Sequence, residues 1–358
     1  MRLRRVSTGS LNLKMRLQSR VKREFAEGTR RLVAILSCLA LIALASLSPT
    51  HAAHTTHRTA HEGAQETDFL GRLLAVEAPC SAPCSPAEAI VSLRSEIEKV
   101  TDDARLFLKG VNASAEQDSA EVRITALNSF VFGQLGIKPS RDLTDPDNLL
   151  LGQVLKRKRG YCVGIASLYL VLADRLGLPV RAVATPSHLF LRYDDGVTRI
   201  NIETFQEGTH IPDEQYVRDE KIPPESTRRG IFLSNLSDEE FLAQVCNNIG
   251  VIESGKKNYA LAASRYEQAL ELYPRFPAAL YNYGTDLLHG GRAVESVRLL
   301  SRSLRLYPTD AWALNNRGLA YMKMGKREKA RRDFEGALKI DPGFDRVKRS
   351  LEGVRSPQ

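Results

Sequence analysis

RKRGYCVGIASLYLVLADRLGLPVRAVATPSHLFLRYDDGVTRINIETF, residues 157–205, decides the fold of the chain. Its first half reads as a helix that starts at or just after Gly160 and runs to Leu176. Gly177 and Pro179 stop it, and Ile165, Leu168, Leu172 and Leu176 form its apolar face. Cys162 falls in the first turn, where free backbone N–H groups and the helix dipole favour an anion. The second half reads as two strands joined by Asp194-Asp195-Gly196, a hairpin signal. A turn centred between Asp195 and Gly196 sets Leu191 opposite Ile200, Leu189 opposite Ile202 and His188 opposite Glu203. One face of that hairpin is apolar and the other carries His188 and Glu203. Directly opposed side chains stand roughly 5 Å apart at Cβ, within reach of an imidazole–carboxylate hydrogen bond. Thiol, base and acid in this order are the parts of a nucleophilic site: Cys162 attacks, His188 activates it and Glu203 orients the ring. Asn201 lies on the same face and is the alternative third member. The backbone N–H of Cys162 is the first oxyanion donor to consider, with the Gln153 and Tyr161 side chains after it.

Outward from this stretch, residues 86–135 carry helical apolar spacing, including Ile90, Leu93, Ile97, Ile124, Leu127 and Phe130, and Gly136 closes the second helix. LLLGQVLKRK at 149–158 reads as a further short helix. Residues 206–239 read as an irregular connection with room for short helices. From about residue 240 a 34-residue period appears. Gly250, Gly284 and Gly318 recur, as do Tyr266, Leu300 and Phe334, Ala269, Ser303 and Ala337, and Pro274, Pro308 and Pro342. In ALELYPRFPAAL, SLRLYPTDAWAL and ALKIDPGF this pattern resembles the tetratricopeptide repeat. The resemblance implies three helix pairs over about 243–344 with a capping helix over 345–355, and a concave surface for a protein or peptide partner. Asn282, Asn315, Asn316 and Arg317 are the candidate binding residues of that groove. Cys246 takes a large-hydrophobe position of the first repeat and reads as a buried packing residue.

The globular part has a resemblance of its own. ALNSFVFGQLG, then DPDNLLLGQVLKRKRGYCVGIASLYLVLADRLGLPVRAVATPSHLFLRY, then INIETFQEG is similar to the SirB-like branch of the transglutaminase-like superfamily, over roughly residues 88–215. That resemblance implies an α+β papain-like core and a triad at Cys162, His188 and Glu203. Glutamate at the third position departs from the aspartate of the wider superfamily. Many members of the branch carry Ile-Pro where this chain has Tyr161-Cys162, so the branch alone does not imply turnover.

The net charge of +9 is concentrated at the N-terminus, where residues 1–31 hold ten Lys/Arg against two Glu. This argues against nucleic acid as a partner. The uncharged run at 32–47 and the small residues ending at Ala53 complete an export signal or an N-terminal membrane anchor over 1–53. Either places the remainder outside the cytoplasm. Cys38 lies inside the apolar run and is a candidate for lipid modification. Residues 54–85 read as a disordered, His-rich linker. Cys80 and Cys84 within it suit a local disulfide, which leaves Cys162 free. The expected organisation is thus a transglutaminase-like α+β domain at 86–239 and an all-α repeat solenoid at 240–358. No metal and no cofactor is called for. Two functions fit: an exported thiol enzyme acting on peptide or isopeptide amides by hydrolysis, deamidation or acyl transfer, and a non-catalytic interaction scaffold on the same fold.

Overall fold

The computed structural model describes residues 68–77, 86–114, 119–142 and 145–355. The expectations for the export signal or anchor, Cys38, the histidine tract and the Cys80–Cys84 pair lie outside the described residues. Among the described residues no helix is long and apolar enough to cross a membrane.

The stretch expected to be linker, 54–85, contains a helix, α1 (Phe69–Glu77). Phe69, Leu70, Leu73, Leu74 and Val76 are all buried. Nine residues are too short for the periodic windows that reveal longer helices, and this helix gains its stability from burial. It is followed by α2 (Pro86–Ser114) and α3 (Ala120–Asn128), the latter capped by Ser119, whose hydroxyl accepts from Val122 N–H. One wider turn, Ser129–Gln134, continues α3, and Gly136 closes it with φ +70°.

β1 (Lys138–Pro139), α4 (Leu151–Arg157) and β2 (Arg159–Gly160) come next, with β1 and β2 paired in parallel. They lead into α5 (Cys162–Arg175), in which every residue from Cys162 to Ala173 is buried. Gly177, at φ +68°, turns the chain into β3 (Val180–Ala184). β4 (Leu189–Asp194) and β5 (Arg199–Ile202) complete an antiparallel sheet of order β3-β4-β5. Leu189, Leu191, Tyr193 and Ile202 belong to the same apolar core as α5. Phe190 and Val183 enter a second core with Tyr216, Ile222 and Phe232.

The hairpin register differs from the sequence expectation by two residues. Leu191 pairs with Ile202, Tyr193 with Ile200 and Asp194 with Arg199. The reason is a longer loop, Asp195–Thr198, held by the Asp195 carboxylate, which accepts from Val197 N–H (2.9 Å) and Thr198 N–H (2.7 Å). A two-residue shift keeps every side chain on its face. His188 and Glu203 therefore remain on one side of the sheet, as diagonal neighbours.

The connection beyond β5 holds α6 (Asp213–Glu220) and α7 (Pro224–Arg228). Three helix pairs follow: α8 (Asp238–Gly255) with α9 (Tyr259–Leu272), α10 (Pro277–His289) with α11 (Ala293–Leu306), and α12 (Ala311–Lys323) with α13 (Arg327–Ile340). α14 (Asp345–Arg355) ends the described chain. The 34-residue period has a steric cause. A Cβ on Gly250 would stand 2.7 Å from Tyr266, one on Gly284 2.9 Å from Leu300, and one on Gly318 2.6 Å from Phe334. The paired helices of each repeat touch through a missing side chain.

The repeats share the core of the α+β part. Phe241, Val245, Cys246, Ile249, Ala269 and Tyr273 are in one apolar cluster with Leu70, Leu168 and Leu191. Phe69 and Phe241 face each other at 6.0 Å between ring centroids, and Arg72 of α1 reaches Asp238 at 2.9 Å. Further along, Phe232 meets Tyr307 edge-on at 5.1 Å.

Candidate active site

Cys162 is the first residue of α5, and Tyr161 is its N-cap. Tyr161 N–H donates to the Asn148 carbonyl at 2.7 Å, which draws the helix start against the 148–149 backbone. Gly164 makes that approach available: a Cβ there would stand 2.5 Å from the Asn148 oxygen and 3.0 Å from the Leu149 oxygen. The thiol is 2 % exposed and makes no disulfide.

His188 leads into β4 from the turn Thr185-Pro186-Ser187. Its N–H donates to Thr185 Oγ1 (3.0 Å), and its carbonyl accepts from Thr185 N–H (2.9 Å). Glu220, at the end of α6, fastens this turn from outside. It accepts from Thr185 Oγ1 (2.8 Å), Ser187 N–H (2.9 Å) and Ser187 Oγ (2.9 Å).

His188 Nε2 lies 2.9 Å from both Oε1 and Oε2 of Glu203. Cys162 acts on the same ring as a hydrogen-bonding and electrostatic influence on its pKa. Glu203 accepts two further bonds, from Phe205 N–H (2.9 Å) and from the Tyr216 hydroxyl (2.8 Å). Phe205 stacks on the imidazole at 5.2 Å and meets Tyr161 edge-on at 5.6 Å. The three residues expected from sequence are thus brought together. Asn201, the alternative acid-position residue, is engaged elsewhere: it accepts from Arg192 Nε (2.8 Å) and donates to the Ile211 carbonyl and Asp213 (both 2.7 Å). Among the described residues Gln153, on α4, makes no hydrogen bond to the triad, whereas the Tyr161 ring meets Phe205 beside it.

Burial is the largest single influence on His188 and opposes the imidazolium. Hydrogen bonds to Cys162 and Glu203, and the negative charges of both, outweigh it, and the pKa is pushed up to about 10. Burial likewise opposes the Glu203 carboxylate, yet its bond to His188, the imidazolium charge, Phe205 N–H and Tyr216 hold it below the usual carboxylate range. Both shifts favour the same state, an imidazolium held against the Glu203 carboxylate. Burial, then the charge and hydrogen bond of Cys162, keeps the Tyr161 phenol protonated. Such an arrangement supplies a nucleophile, a proton donor and an orienting carboxylate.

Tyr216, Glu220 and Phe205 were not found by sequence reasoning. Tyr216 and Glu220 lie in the stretch read as irregular connection, and nothing local marks a tyrosine or glutamate there. Phe205 is two residues beyond Glu203, and the shifted register places it across from His188.

The groove candidates of the repeats sit at contacts between helices. Asn315 is 0 % exposed and donates to Asn316 Oδ1 (2.9 Å), and Asn316 donates to Thr285 Oγ1 (2.9 Å). Arg317 forms a bidentate pair with Asp333 (2.8 and 2.7 Å) and donates to Ser301 Oγ at 3.2 Å. Asn282, half-exposed, donates to Asn247 Oδ1 (2.9 Å). These side chains flank the glycine where helices meet, so they tie neighbouring helices to one another.

Residues 92–247 match the model of the transglutaminase-like superfamily, and 253–311 and 311–344 match models of the tetratricopeptide repeat. The chain carries a transglutaminase-like domain followed by C-terminal tetratricopeptide repeats. Its relatives place the domain in the SirB-like branch. It is 27% identical over 224 residues to the UPF0162 protein of Xylella fastidiosa (strain Temecula1 / ATCC 700964), covering 58% of this chain and 79% of that one. It is also 27% identical over 139 residues to F-box only protein 21 of Homo sapiens, covering 34% of this chain and 22% of that one. Among solved structures, the first tetratricopeptide domain of Spaghetti (RPAP3) bound to HSP90 peptide SRMEEVD is similar, with TM-score 0.31 and 20% identity over 31% of this chain and 89% of that one.

Proposed function

We propose that this chain is a thiol enzyme acting on peptide or isopeptide amides, with its repeats holding a protein or peptide partner. The observation that carries the reading is the position of His188, bonded through Nε2 to Glu203 and acted on by Cys162 at the start of α5. In this reading the Cys162 thiolate attacks the acyl carbon, the His188 imidazolium gives its proton to the leaving amine, and a thioester forms. Water or an amine then takes the acyl group and the thiol is restored. Glu203 holds the ring in the orientation both steps need, and Tyr216 and Phe205 N–H hold Glu203.

An activated acyl donor tests this without a known substrate. p-Nitrophenyl acetate should release p-nitrophenolate and leave an acetyl group on Cys162, identified by peptide mass, and Cys162→Ser should remove that modification. Acetylation spread over surface lysines with none on Cys162 would sink the reading.

The second reading, a non-catalytic scaffold, has one observation in its favour: Cys162 is 2 % exposed and His188 13 %, beneath Tyr161 and Phe205. It requires an intact fold with an unreactive thiol. We also place the protein outside the cytoplasm, on the strength of the basic, apolar and small-residue order of residues 1–53. Recovery of the protein from the cytosolic fraction of fractionated cells would contradict that.

A further inference from the structure

Three basic residues, Arg141, Lys158 and Arg159, lie in or beside the paired strands that lead into Cys162. β1 and β2 pair in parallel, Lys138 with Arg159 and Pro139 with Gly160, and Ser140 N–H donates to the Gly160 carbonyl at 2.6 Å. Beyond that pairing one strand continues through Ser140 to Arg141 and the other through Tyr161 to Cys162. The Arg141 guanidinium lies 5.5 Å from the centroid of Phe205, whose ring stacks on His188. Its charge also acts on the Tyr161 hydroxyl, next to Cys162 in the chain. Arg141, Lys158 and Arg159 are exposed, and none of them forms an ion pair among the described residues. Of the acids near Arg141, Asp145 and Asp147 pair with Arg157 (2.7 and 3.1 Å), Glu207 with Lys138 (2.9 Å) and Glu203 with His188, while the exposed Asp142 is its neighbour in the chain. A guanidinium stacked on an aromatic ring keeps its N–H edge available for a planar anion.

We propose that Arg141 is a binding residue for a carboxylate of the substrate, so that the preferred acyl donors carry an acidic group beside the scissile amide. The proposal rests on the thiol-enzyme reading. It assigns Arg141 to specificity and leaves the acyl-transfer chemistry to Cys162, His188 and Glu203.

Iodoacetate and iodoacetamide separate the two claims. In each the thiolate forms an S–C bond and iodide leaves, and the reagents differ in a carboxylate against a neutral amide. Rates at Cys162 are measured by peptide mass on the full-length protein, with Cys162→Ser as background and N-acetylcysteine as the reference thiol. The iodoacetate-to-iodoacetamide rate ratio should exceed that of N-acetylcysteine. It should fall about two- to fivefold in Arg141→Gln, the range of an exposed ion pair. Arg141→Lys should retain most of the preference, 1 M salt should weaken it, and Arg298→Gln on α11 should leave it unchanged. A ratio unaltered in Arg141→Gln, with Cys162 still reactive, overturns the carboxylate subsite alone. A Cys162 that reacts with neither reagent overturns the enzyme reading and the subsite with it.

Discussion

His188 bonds the Glu203 carboxylate and is acted on by Cys162, and its protonation is therefore written into stability. Its pKa rises from the ordinary 6.5 to about 10, so the folded chain holds the proton more tightly than the unfolded chain. That contribution is complete below about 6.5 and is lost as pH rises through about 10. Glu203 is shifted the other way, below the ordinary 4.5, so its contribution is present above 4.5 and is lost as pH falls through the lowered value. The gap in melting temperature between the wild type and His188→Gln should be widest between about pH 4.5 and 6.5 and should narrow steadily toward pH 10. A gap that widens across that upper range would contradict the assignment. Tyr216→Phe removes one donor from a buried carboxylate while keeping the ring stacked on Phe190 at 4.3 Å. It should cost about 1.5–3 kcal/mol in denaturant unfolding, the range for a hydrogen bond to a charged group. Cys162 at a helix start and the approach of His188 to Glu203 were legible in the sequence, because helix start, strand and hairpin each leave a local mark. Tyr216 and Glu220 were not, because they reach the site across the fold.

At the scale of elements, α5 is placed by a close backbone approach. Gly164→Ala would drive a methyl group into the carbonyls of Asn148 and Leu149, which cannot swing aside as a flexible side chain can. Overpacking of this kind costs about 1–3 kcal/mol. Here it should also displace the first turn of α5, so that stability and Cys162 alkylation fall together in one variant. A stable Gly164→Ala protein with undiminished reactivity would show that the approach is unimportant to the site. The hairpin shows where sequence reading stops. Alternation fixes which face a side chain takes, and that part held for His188 and Glu203. The pairing depends on loop length, and the Asp195 side chain selected a longer loop than Asp-Gly suggested. α1 was missed for a related reason: its apolar side chains matter only against Phe241 and the rest of the core, a contact about 170 residues distant in the chain.

Across the whole molecule, the 34-residue period made the repeats legible, yet it did not reveal where they join. α8 supplies Phe241, Val245, Cys246 and Ile249 to the core that holds α5. Truncation after residue 239 should therefore expose apolar surface and abolish cooperative unfolding and Cys162 reactivity alike. A folded, reactive 1–239 fragment would show two independent modules. A repeat pattern sets helix spacing, while the rotation of each helix decides which side chains face the groove and which tie helices together. The most direct measurement of the central claim is the second-order rate of Cys162 alkylation by iodoacetamide near neutral pH, in the full-length wild type and in His188→Ala. The wild-type thiol should react faster than N-acetylcysteine, and His188→Ala should slow it at least tenfold, the low end of the factor a positioned base contributes being about 10²-fold. A wild-type rate no faster than the model thiol, or a rate indifferent to His188→Ala, would contradict the triad.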